Sequence, residues 1–69
     1  MKISARNQIK GRVLEIKDGA VMSMVKIDAG NGIIITSIIS KDSVGYLNLA
    51  KNDEIIALIK STEVIIAKE

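Results

Sequence analysis

Between Ala20 and Ile27 apolar and polar residues alternate, with Val21, Val25 and Ile27 set against Met24 and Lys26. That period of two marks a strand with one buried and one mixed face. The stretch Ile33 to Ile39 does not alternate: Ile33, Ile34, Ile35, Ile38 and Ile39 put isoleucine on both faces, as do Ile55 with Ile56 and Val64 with Ile65 and Ile66. Burial on two sides in so short a chain calls for a covering surface from outside it. The first apolar segment, Ile3 to Ile16, is unusually long, and its apolar positions run Ile9, Val13, then Leu14 and Ile16. The pattern changes face between Gly11 and Leu14, which predicts a bulge or a glycine bend that lets one strand serve two pairings.

Turn residues break the chain at Lys17-Asp18-Gly19, at Asp28-Ala29-Gly30-Asn31-Gly32, from Ser40 to Asn48, and at Ser61-Thr62. The segments between them predict five strands: Ile3 to Ile16, Ala20 to Ile27, Ile33 to Ile39, Glu54 to Ile59 and Glu63 to Ala67. Their apolar positions are mostly β-branched and no proline interrupts them, both of which favour strand over helix. Ser40 to Leu47 reads instead as a short helix. Ser40 can cap it, Asp42 suits the positive end of its dipole, and Val44 with Leu47 forms an i,i+3 apolar pair, while Gly45 limits its length. An all-β fold follows, an OB-like five-stranded Greek-key barrel with one short helix between strands 3 and 4, as a single domain over residues 1–69.

The chain has 69 residues, and 48% of them are hydrophobic. A domain of this size hides only ~60% of the surface that its unfolded chain exposes. The apolar excess therefore predicts burial between subunits, and a homo-oligomer is the expected state. Cysteine and histidine are both absent, which removes disulfides, thiolate or imidazole metal sites, and Ser-His or Cys-His nucleophiles. A net charge of +2, spread over 10 basic and 8 acidic residues, is too weak for a nucleic-acid footprint. The opening residues lack a signal peptide's apolar region, and no apolar run reaches the ~18 residues of a membrane span. A soluble, cytoplasmic protein with no membrane partner is expected.

Three segments carry candidate chemistry. In Ser4-Ala5-Arg6-Asn7-Gln8, strand alternation would set Ser4 and Arg6 on one side, a hydroxyl beside a planar fork of N–H donors that meets two oxygens at once. A solvated edge strand accounts for the same residues. Lys60-Ser61 follows the apolar run Ile55 to Ile59, and a lysine there either serves an anion or simply reaches water. Ser40 and Ser43 open the helix, where capping alone explains them, although such hydroxyls also suit an anion. Gly30-Asn31-Gly32 is a hairpin turn and no phosphate loop, since no Lys-Ser/Thr pair and no helix follow it.

Taken together, Ser4-Ala5-Arg6-Asn7-Gln8 with Gly11, then Gly19-Ala20-Val21, Ile39-Ser40 with Ser43, Ala57-Leu58-Ile59-Lys60-Ser61 and Val64-Ile65 resemble the Mop domain of the molbindin family over essentially the whole chain. The resemblance implies a hexamer, a trimer of dimers, holding molybdate or tungstate between subunits, with no catalytic cofactor and no direct cation ligands. By the same resemblance Ser4 and Arg6, Lys60 and Ser61, and Ser40 and Ser43 match the family's oxyanion-binding positions. A second oxyanion site is implied on an assembly axis; the backbone of Gly19, Ala20 and Val21 is its candidate, and Met22 departs from the asparagine often found beside it. The residues themselves suit such a ligand, because a tetrahedral dianion only accepts hydrogen bonds and this set supplies donors and positive charge without a carboxylate.

The expected role is thus storage and homeostasis of an oxyanion, not catalysis. Asp53 and Glu54, with no histidine or metal ligands to work with, read as a solvated turn. An OB-type single-stranded nucleic-acid-binding module is the alternative, but such modules stack bases on aromatic rings and Tyr46 is the only one here.

Overall fold

A computed structural model describes residues 1–69. Four strands form one antiparallel sheet: β1 (Asn7–Asp18), β2 (Met22–Asp28), β3 (Ile34–Ser40) and β4 (Glu54–Ile59). A helix, α1 (Lys41–Tyr46), lies between β3 and β4, and a single 3-10 turn, Ser61–Glu63, follows β4. The sheet order is β3-β2-β1-β4. Three strands joined in sequence with the fourth returning beside the first is the Greek-key arrangement.

β1 does serve two partners. Its first half pairs with β4, from Asn7↔Ile59 to Arg12↔Glu54, and its second half pairs with β2, from Arg12↔Asp28 to Asp18↔Ser23. The change of face falls where the alternation breaks, as a register shift between Val13 and Glu15 that leaves Leu14 unpaired and exposed. Gly11 permits the crossing: a Cβ there would stand 2.5 Å from Ile27 Cγ2 and 2.8 Å from the Asp28 carbonyl oxygen. The sheet curls so that its inner face gathers Val13, Val25 and Ile27, the buried core, with Ile16, Ile35, Ile39, Val44, Leu49, Ile55 and Ala57 packed around them.

The turns hold for local reasons. Asn31 (φ 53°), between Gly30 (φ 90°) and Gly32 (φ 77°), carries the β2–β3 hairpin through left-handed backbone, which Asn and Gly tolerate best. Asp28 Oδ1 accepts the Gly30 N–H at 2.8 Å and fixes its start.

The fifth strand, expected from Glu63 to Ala67, does not form. Glu63 closes the 3-10 turn, and Val64 to Ala67 pair with nothing, Ile65 and Ile66 being 94% and 88% exposed. A strand exists only as a ladder; the edges at β3 and β4 stay open, and the 3-10 turn Ser61–Glu63 carries the chain off β4 so that the following segment joins neither. The first strand likewise begins at Asn7, so Ile3 to Arg6 lie outside it. Between the free edges of β3 and β4 runs a groove of about 780 Å³, lined mostly by apolar side chains, among them Ile35, Ile39, Ile55 and Ile59. Ile38, Ile56 and Leu58 also line it and are exposed, as is Ile34 beside them, and only four residues in the chain are buried.

Candidate functional site

The six candidate donors fall into two groups at opposite ends of β1. At its start, Ser4 and Arg6 immediately precede Asn7, and the rung Asn7↔Ile59 sets them beside Lys60 and Ser61, which leave β4. All four side chains lie on exposed residues. Ser4 and Arg6 occupy bends before the sheet, so strand alternation does not set them on one side; the β1–β4 register brings only their segment as a whole toward the end of β4. Two amide side chains brace this end. Asn7 Nδ2 donates to the Ile59 carbonyl at 3.1 Å, and Gln8 Nε2 donates to the Ala5 carbonyl at 3.0 Å. Both residues belong to the Ser4–Gln8 segment, in which the sequence pattern gave a role only to Ser4 and Arg6.

At the other end, Ser40 closes β3 and caps α1. Its Oγ accepts the Ser43 N–H at 3.0 Å and lies 2.7 Å from Ser43 Oγ. Both serines are half-buried, and their hydroxyls are bonded to each other. The register Met22↔Ser40 and the bond from the Lys41 N–H to the Val21 carbonyl at 2.8 Å bring Gly19-Ala20-Val21 alongside. Gly19 has already committed its own N–H to the Met22 carbonyl at 2.8 Å, which leaves Ala20 and Val21 as the segment's uncommitted donors. The two groups that looked separate in sequence, the serine pair and the Gly19–Val21 backbone, are thus one neighbourhood.

No hydrogen bond or strand register joins the two ends to each other. Two acids stand at the serine end, Asp18 at the close of β1 and Asp42 in the first turn of α1, but no three His, Cys, Asp or Glu side chains converge anywhere in the chain. The Asp18 carboxylate accepts from the buried Ser23 hydroxyl at 2.6 Å, and Glu54 pairs with Arg12 at 3.3 Å. Arg12 also donates to the Asn52 carbonyl at 3.0 Å, so it is tied into the sheet while Arg6 is free. No helix is long and apolar enough to cross a membrane.

The TOBE domain family matches residues 3–66. A relative from Haemophilus influenzae, named a probable molybdenum-pterin-binding protein, is 46% identical over 69 residues, covering all of both chains. The chain belongs to the molbindin, or Mop-domain, family. Solved structures of other members have the same fold. MopII from Clostridium pasteurianum superposes with a TM-score of 0.91 at 46% identity, covering 97% of this chain and 100% of its own. A molybdate-binding protein from Sporomusa ovata gives 0.93 at 40% identity, covering 99% and 100%.

Proposed function

We propose that the chain binds molybdate or tungstate at sites shared between subunits of a homo-oligomer, and that it stores the oxyanion in the cytoplasm without acting on it chemically. The observation that carries this reading is the split of the donors. Arg6 and Lys60, with the hydroxyls of Ser4 and Ser61, stand at one end of β1, and Ser40 with Ser43 place a mutually bonded hydroxyl pair at the other. Four acceptor oxygens of a dianion need donors on several sides. Neither group alone supplies them, and a second copy of the chain brings the missing half.

The same second copy answers two other features. An apolar groove lies between unpaired edges of β3 and β4, and an apolar tail, Val64 to Ala67, has no partner in its own chain. A tail laid along such a groove would satisfy the open edge and cover exposed isoleucine in one step. A hexamer arranged as a trimer of dimers suits the remaining exposed isoleucines, Ile33 and Ile34, and is the assembly proposed. Ala20 and Val21 N–H groups, beside the serine pair, are the proposed donors of a second oxyanion site.

A subunit-mixing experiment tests the shared site. Two variants are assembled together, one with Arg6→Ala and Lys60→Ala, the other with Ser40→Ala and Ser43→Ala. If each parent variant binds weakly and the mixture regains a fraction of the full-strength sites, each site draws on two subunits. Mixtures that bind no better than their parents would refute sharing.

A further inference from the structure

The two amides at the start of β1 stand between the cationic donor segments and belong to neither. Asn7, half-buried, reaches 52 positions along the sequence to the Ile59 carbonyl, and Ile59 immediately precedes Lys60 and Ser61. Gln8 grips the Ala5 carbonyl, and Ala5 lies between Ser4 and Arg6. Each amide holds the backbone of one donor segment, and the two amides are neighbours on β1. We infer that Asn7 and Gln8 are positioning residues that clip Ser4–Arg6 to Lys60–Ser61 and set the cationic half of the oxyanion site before the ligand arrives. The inference rests on the oxyanion-binding function proposed above.

The ladder between β1 and β4 ends at the rung Asn7↔Ile59. Beyond it, Ser4 to Arg6 on one side and Lys60 to Ser61 on the other run exposed, and chain leaving the end of a ladder frays. Donors that must be ordered at the moment of binding subtract that cost from affinity, whereas donors ordered beforehand do not. The side-chain bond of Asn7 falls on this last rung, where it adds a second tie at the point of fraying. Asparagine is a poor strand residue, so packing or propensity alone gives no reason for it at a half-buried position. An aspartate of the same shape would serve no better: it accepts hydrogen bonds where this site needs a donor, and it would add negative charge beside an anion.

The test uses the full chain, with Asn7→Leu and Gln8→Leu keeping bulk while removing the donors. Molybdate affinity is measured by calorimetry, assembly by sedimentation, and local order by backbone amide exchange at Arg6, Lys60 and Ser61. Asn7→Leu is expected to weaken binding about three- to tenfold, the scale of one ordinary hydrogen bond. Assembly mass should be unchanged, amide exchange at Lys60 and Ser61 should accelerate, and the affinity loss should shrink when Lys60 is already Ala, because Asn7 acts through that segment. Unchanged affinity in both variants overturns the inference. Loss of binding that comes only with loss of assembly in both variants overturns it as well, since the bonds would then be holding the subunit and not the site. A parent protein that fails to bind molybdate contradicts the function itself and removes the basis for this inference; a parent that binds, with both variants unaffected, contradicts the positioning role alone.

Discussion

Gly11 lies directly beneath Ile27, so close that the smallest side chain would press on the Ile27 Cγ2 methyl at 2.5 Å and on the Asp28 backbone at 2.8 Å. The methyl can rotate away, but the carbonyl is fixed in the β1–β2 ladder. Gly11→Ala should therefore destabilise the fold by ~1–3 kcal/mol, the usual cost of overpacking. Urea denaturation of the two proteins checks it. A variant as stable as the parent would mean that β1 does not bend around this point.

Gly45 predicts the opposite sign. It lies inside α1, and nothing stands within 4 Å of the position a Cβ would take. Gly45→Ala should stabilise by about 0.5–1 kcal/mol, because alanine loses less backbone freedom in a helix. The thermal midpoint should rise, and molybdate affinity should stay the same.

These two glycines also show what was legible in the sequence. The break in alternation from Ile9 and Val13 to Leu14 and Ile16 located the bulge, because a strand that changes its buried face must gain a residue. Ser40 was legible as a cap because a hydroxyl before a helical pattern has few other uses, and it does accept the Ser43 N–H. The segment Val64 to Ala67 misled for the same physical reason that made it look like a strand. Its β-branched residues suit a sheet, but propensity says nothing of whether the preceding turn, Ser61–Glu63, delivers the segment to an open edge. For the candidate site, the residue types were readable from donor chemistry and from likeness to the molbindin family. Their division into two ends of β1 was not, since it depends on the pairings Asn7↔Ile59 and Met22↔Ser40, contacts between residues far apart in sequence.

Arg6 offers a test of donor geometry. Arg6→Lys keeps the charge and loses the planar fork, so molybdate binding should weaken by roughly 1.5–3 kcal/mol, the scale of a hydrogen bond to a charged group. Calorimetry on the variant, with sedimentation to show that the assembly persists, reads this directly. Arg12→Lys is the control, because Arg12 is occupied by Glu54 and the Asn52 carbonyl and should leave affinity unchanged.

The tail offers a test of assembly. Ile65 and Ile66 are almost fully exposed in one chain, and burying each would contribute ~1.5–3 kcal/mol. Replacing both with aspartate should therefore shift the protein toward smaller species in sedimentation equilibrium at micromolar concentration, and molybdate binding should fall with the assembly. An Ile65→Asp, Ile66→Asp variant with the mass of the parent would show that the tail lies outside the interface.

The most direct measurement is a calorimetric titration of molybdate into the intact protein, repeated in the presence of excess sulfate and of excess phosphate at neutral pH. Donors fixed on strand ends and across a subunit boundary cannot all follow a smaller anion inward, and each one left without a partner costs ~1–3 kcal/mol. Phosphate near neutrality still carries a proton, for which a site of Arg6, Lys60 and serine hydroxyls has only hydroxyl lone pairs. Saturable molybdate binding that survives both competitors, with tungstate binding about as well, is the predicted result. Absence of molybdate binding, or its displacement by sulfate or phosphate at comparable concentration, would contradict an oxyanion store that selects molybdate and tungstate over smaller or protonated anions.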